Sequence, residues 1–74
     1  MYMQAPKVIV ESLKKTAIGR RIRLVSTTDE YTTLKPGDEG TVDFVDDTGT
    51  VFAKWDNGSS LGMVYRIDQW DFVE

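Results

Sequence analysis

Two glycine turns, Asp47-Thr48-Gly49 and Asp56-Asn57-Gly58, stand so close together that only a short extended segment fits between them. The run from Thr50 to Trp55 is shorter than an ordinary helix. Within it Val51, Ala53 and Trp55 fall on one side, and Phe52 and Lys54 on the other, which is the period of a half-buried strand. Asn57 and Gly58 both tolerate positive φ, the requirement of a tight hairpin turn. The stretch therefore reads as strand, hairpin turn and partner strand, the last being Ser59 to Tyr65.

The rest of the chain can be laid out around this hairpin. The segment from Gly40 to Asp46 is a strand that enters the first turn. Residues 21–26 alternate, with Ile22 and Leu24 to one side and Arg21, Arg23 and Val25 to the other. Between these strands lies a polar stretch, Thr27 to Glu39, in which Pro36-Gly37 suits the centre of a type II turn. A loop of that length in a small domain points to use in binding. Pro6 suits a first helical turn, and Ile9, Leu13 and Ala17 share one helical face, so residues 6–18 are predicted as a helix ending before Gly19. Arg66 to Gln69 reads as one 3₁₀ turn, and Trp70 to Val73 as the closing strand. The predicted core comprises Ile22, Leu24, Val42, Phe44, Val51, Ala53, Trp55, Leu61 and Met63. The expected class is mainly β: a small five-stranded SH3-like barrel over residues 19–74, preceded by a short N-terminal helix and a flexible start over residues 1–5. The tight connection between the third and fourth strands leaves no room for the helix of an OB-fold.

Size and composition narrow the function. A chain of 74 residues is a single domain that buries about 60–65% of its surface. It has no Cys, which excludes disulfides and thiolate metal sites, and no His, the side chain best suited to proton transfer near neutral pH. The first residues lack the charged and apolar regions of a signal peptide, and no apolar run reaches membrane-spanning length. A soluble, cytoplasmic protein is the expectation.

Charge is divided unevenly. Residues 1–23 hold Lys7, Lys14, Lys15, Arg20, Arg21 and Arg23 against Glu11, six minus one giving +5. Residues 24–74 hold three bases against eleven acids, giving -8. The basic set Lys14, Lys15, Arg20, Arg21 and Arg23 has the chemistry for phosphate contacts. It lacks interleaved aromatics, and contact with the domain's own acids is the favoured reading.

The acids Asp43, Asp46, Asp47 and Asp56 do not have the spacing of a calcium loop, so no metal site is expected, and Asp46, Asp47 and Asp56 are read as turn formers. Ser59 and Ser60 have no His to activate them and no glycine-rich phosphate loop is present, so neither an enzyme nor a cofactor is expected. Tyr31, Tyr65 and Trp70 are the candidate binding residues. On an SH3-like layout they lie on the long loop and around the turn before the last strand, with Asp29, Glu30 and Asp68 as an acidic rim.

The motif Gly19-x-Arg21-Ile22-x-Leu24 is followed by Leu34-x-Pro36-Gly37-x-x-Gly40-Thr41-Val42. Val45-Asp46-Asp47-x-Gly49, Trp55-Asp56-Asn57-Gly58-Ser59-Ser60-Leu61 and Asp68 complete the pattern. Together with the helix-like residues 7–17, these motifs resemble the DUF4314 family of small uncharacterised proteins. The family departs from this chain at Met63 to Asp68, where an apolar-Pro-Gly turn is usual, and at Thr27 to Glu30. The resemblance implies an SH3-like barrel and a setting in phages, prophages and conjugative elements of bacteria. The functional expectation is a non-enzymatic module that binds a host- or element-encoded protein. Two alternatives stand beside it: a nucleic-acid-binding barrel using the basic segment, and an oligomer that sequesters a nucleotide-like small molecule.

Overall fold

The computed structural model describes residues 4–30 and 32–73. Helix α1 spans Lys7–Thr16, and five strands follow: β1 (Arg21–Ser26), β2 (Glu39–Val45), β3 (Val51–Trp55), β4 (Gly62–Met63) and β5 (Gln69–Phe72). They form one antiparallel sheet in the order β4-β3-β2-β1-β5, so the last strand returns to pair with the first. The fold is mainly β with one short N-terminal helix, and its sheet is open rather than closed, with β4 and β5 at the two edges.

Pro6 caps α1 at its N-terminus, its carbonyl accepting from the Ile9 and Val10 N–H groups at 2.9 and 3.0 Å. Lys14 and Lys15 sit in the last turn, where positive charge suits the helix dipole. Gly19, at φ +86°, then redirects the chain and donates its N–H to the Val42 carbonyl at 2.8 Å. The buried helical face is Val10, Leu13 and Ala17, not Ile9, Leu13 and Ala17 as the spacing predicted. Ile9 is 37% exposed while Ala17 is fully buried. The stripe is shifted because α1 lies against β2 and the β2–β3 turn.

That turn also fixes the start of the chain. Ala5 is buried and donates its N–H to the Thr48 carbonyl at 2.8 Å, so the chain is tied down before α1 begins. Residues 1–3, most of the segment expected to be flexible, lie outside the described residues. Gly49 has φ +88°, and a Cβ there would overlap the Ala5 methyl group. Any larger residue at 49 is therefore excluded twice, by backbone strain and by lack of space.

The core consists of Ala17, Ile22, Leu24, Leu34, Val42, Val45, Val51, Ala53, Trp55 and Met63. Leu13, Leu61, Trp70 and Phe72 pack around its margin. Trp55 is 3% exposed and its Nε1–H donates to the Leu61 carbonyl at 2.8 Å, which satisfies the one polar atom that burial would otherwise strand. Of the predicted core, Leu61 is only partly buried at this margin, and Phe44 faces outward. A β-bulge makes Asp43 an additional residue: Val42 pairs with Ala53, but Phe44, not Asp43, pairs with Phe52. The extra residue reverses the facing of everything after it. Phe44 is turned outward, 47% exposed, and Val45 takes the buried position in its place.

Candidate functional site

The long loop, residues 27–38, is pinned at its two ends and at Thr33 and Leu34. At its start the Asp68 Oδ1 accepts from the Thr27 hydroxyl at 2.8 Å and from the Thr28 N–H at 3.4 Å. The other oxygen of the same carboxylate accepts from the Val64 N–H at 2.8 Å, closing the turn that precedes β5. Midway, Leu34 is buried in the core, and the Asn57 Nδ2 donates to the Thr33 hydroxyl at 3.2 Å. At the far end Gly37 N–H donates to the Leu24 carbonyl, and Leu24 N–H donates to the Asp38 carbonyl, both at 2.8 Å. Gly37 has φ +98° and Asp38 N–H reaches the Lys35 carbonyl at 3.0 Å, in keeping with the type II turn expected at Pro36-Gly37.

The turn before β5 is a hydrogen-bonded turn rather than a 3₁₀ helix. Ile67 and Asp68 N–H groups both donate to the Val64 carbonyl, at 3.1 and 3.0 Å. Arg66 at its apex has φ +62°, the one non-glycine residue at positive φ among the described residues.

Between the loop and the β3–β4 connection lies an open cleft of about 490 Å³. Its walls are Asp29, Thr32 and Thr33 on one side and Asn57, Ser59, Ser60 and Leu61 on the other, with Gly58 between. The lining offers hydroxyls, an amide and one carboxylate, a surface suited to hydrogen-bonding a polar, extended ligand. Of the residues singled out from sequence, Asp29 lines this cleft and Glu30 is exposed beside it in the chain. Tyr65 and Trp70 are half-buried. The Trp70 ring packs against the core margin and meets the Phe72 ring edge-on at 5.0 Å. Asp68 is committed to holding the loop, and Tyr31 lies outside the described residues.

The basic segment is largely engaged by the protein itself. Arg21 forms a two-pronged pair with Asp56, at 2.8 and 2.5 Å, and reaches Glu39 at 3.4 Å. Arg23 shares Glu39 at 3.3 Å, and Lys14 pairs with Asp47. The Arg20 guanidinium lies 3.7 Å over the centre of the Phe72 ring. Hydrogen bonding to Asp56 holds the Arg21 guanidinium well above its ordinary pKa, and the same bond holds the Asp56 carboxyl below the usual carboxylate range.

The acids behave differently from one another. Asp46 is the true turn former. Its Oδ1 accepts from the Thr48 N–H at 2.9 Å, the Thr48 hydroxyl at 2.7 Å and the Thr50 N–H at 3.0 Å. Partial burial raises its pKa, but these hydrogen bonds outweigh that and leave it lowered. Asp47 and Asp56, also read as turn formers, are instead spent on Lys14 and Arg21. Among the described residues, no cluster of three or more acids is arranged to hold a metal ion. Nor is any helix there long and apolar enough to cross a membrane.

A family profile described as "Domain of unknown function (DUF4314)" matches residues 6–73. The chain belongs to the DUF4314 family. The match starts at the Pro6 cap and ends just beyond β5, so α1 is part of the family's unit and not an appendage. Comparisons with curated proteins and with solved structures produce no match.

Two features of this DUF4314 chain were not legible in its sequence. Phe44 and Phe52 stack on the outer sheet face, with centroids 4.6 Å apart and planes 13° from parallel. Only the bulge brings them together, and no sequence signal marks a bulge at Asp43. The second is the role of Asp68, whose two oxygens join segments about forty residues apart in the chain. A lone Asp beside a turn carries no hint of that distant partner.

Proposed function

We propose that this chain is a non-enzymatic binding module which holds a protein partner at the cleft between the long loop and the β3–β4 connection. The observation that carries the reading is the pinned loop. A connection of residues 27–38 is held by Asp68, Leu34, Asn57 and Leu24, yet it leaves Asp29 and Glu30 exposed. A surface ordered in advance loses little conformational entropy on binding. Hydroxyls and an acidic rim suit an extended polar segment bearing a basic side chain. The strand order, with β5 returning to β1, supports a reading of the open sheet as a variant of the SH3-like barrel. The family resemblance supports a phage or other mobile element as the setting, and the bacterial cytoplasm as the place of action.

The nucleic-acid reading has less support, because Lys14, Arg21 and Arg23 are paired with the chain's own acids and Arg20 is stacked on Phe72. Affinity capture from bacterial lysate, with bound protein, nucleic acid and small molecules all analysed, tests the ranking. The wild-type chain is expected to retain a protein that the double variant Asp29→Lys/Glu30→Lys loses, with the melting temperature unchanged. Retention of the same protein by the folded double variant, or capture of nucleic acid alone, would overturn the proposal.

A further inference from the structure

The Asn57-Gly58 pair forms one wall of the cleft, and its chemistry is separate from whatever the cleft binds. Both residues are exposed. Gly58 has φ +91°, and the position where a Cβ would stand has no atom within 4 Å. A backbone nitrogen that follows Asn and belongs to Gly is the least shielded nucleophile a protein can offer to an adjacent carboxamide. Once deprotonated by solvent hydroxide, the Gly58 nitrogen can attack the Asn57 Cγ. A C–N bond forms, the Cγ–Nδ2 bond breaks, and the side-chain nitrogen takes one proton from water and leaves as ammonia, which returns the hydroxide. The resulting five-membered succinimide is opened by water at either carbonyl, giving aspartate or isoaspartate. Water is the sole co-reactant.

Three hydrogen bonds in the folded chain stand against the first step. The Gly58 N–H donates to the Trp55 carbonyl at 2.9 Å, which opposes loss of its proton. The Asn57 Oδ1 accepts from the Ser59 N–H at 2.9 Å, and the Asn57 Nδ2 donates to the Thr33 hydroxyl at 3.2 Å. The carboxamide is thus held at both ends, and one of its two holders belongs to the long loop. We infer that Asn57 is a spontaneous deamidation site whose conversion is gated by the long loop through Thr33. Conversion takes the formal net charge from -3 to -4 by replacing a neutral amide with a carboxylate. The isoaspartate product also adds a methylene to the backbone within the turn that connects Trp55 to Ser59.

The gate is tested on the full chain kept in mildly alkaline buffer, with deamidation at Asn57 followed by peptide mass spectrometry. The folded wild-type chain should convert about tenfold more slowly than the same chain in urea, since reaction must wait for local opening. Thr33→Val, which keeps the branched shape but lacks the hydroxyl, should recover several-fold of that difference while remaining folded by circular dichroism. Thr33→Ser, which restores a hydroxyl, should stay close to the wild-type rate. Equal rates in folded and unfolded wild-type chain overturn the inference. So does a folded Thr33→Val variant that converts no faster than wild type, or a Thr33→Ser variant that converts as fast as Thr33→Val.

Discussion

A single inserted residue, Asp43, decides which aromatic side chain of this protein is structural. Trp55 stays on the predicted face, buried and with its indole N–H satisfied, because β3 is regular. Phe44 leaves the core because β2 is not. The two residues should therefore respond very unequally to truncation. Trp55→Ala should lower stability by about 3–5 kcal/mol, the usual loss for a buried aromatic. Phe44→Ser should cost about 1 kcal/mol or less, chiefly the stacking contact with Phe52. Urea unfolding monitored by circular dichroism compares them directly. A loss at Phe44 as large as that at Trp55 contradicts the bulge.

Among the elements, the long loop owes its order to groups supplied from outside it. Asp68 is the most exposed to test, because both its carboxylate oxygens accept bonds from different segments. Asp68→Asn preserves the shape but converts one oxygen into a donor, which leaves either Thr27 and Thr28 or Val64 without an acceptor. Hydrogen bonds to charged acceptors contribute about 1.5–3 kcal/mol. Amide exchange at whichever of Thr28 and Val64 loses its acceptor should therefore accelerate by about tenfold or more, while the β2–β3 ladder keeps its protection. Unchanged exchange at both amides would show that the loop is held by Leu34, the Asn57–Thr33 bond and the β1 contacts without Asp68.

At the scale of the whole molecule, the acidic chain is stabilised by carboxylates kept in their charged form. Asp46, under its Thr48 and Thr50 donors, and Asp56, under Arg21, both have folded pKa values below their ordinary ones. A lowered folded value means that the unfolded chain binds the proton first as pH falls. The stabilisation is complete above the unfolded value, about 3.9, and is lost as pH drops through the folded one. The melting temperature should hold steady from neutral pH to about pH 5 and decline below about pH 4. Asp46→Asn should lower it at neutral pH and flatten the acid limb. Parallel acid limbs for the variant and the wild type would show that Asp46 does not contribute to the titration.

Strand periods, glycine turns and the helix terminator are local properties, set by side-chain alternation and by φ values that few residues accept, and these the sequence determined by itself. Ile22 and Leu24, Val51 to Trp55, Gly19 and the Pro36-Gly37 turn are found where that chemistry puts them. The family was legible for the same reason, since its pattern is made of those turns and strands. The bulge at Asp43, the choice of Val10 over Ile9 and the pairing of Asp47 with Lys14 and of Asp56 with Arg21 were decided by tertiary structure. So was the cleft, which arises where Thr33 and Asn57 meet across the fold. In each case the deciding term is a contact between residues distant in the chain, and such contacts have energies that no local window of sequence contains.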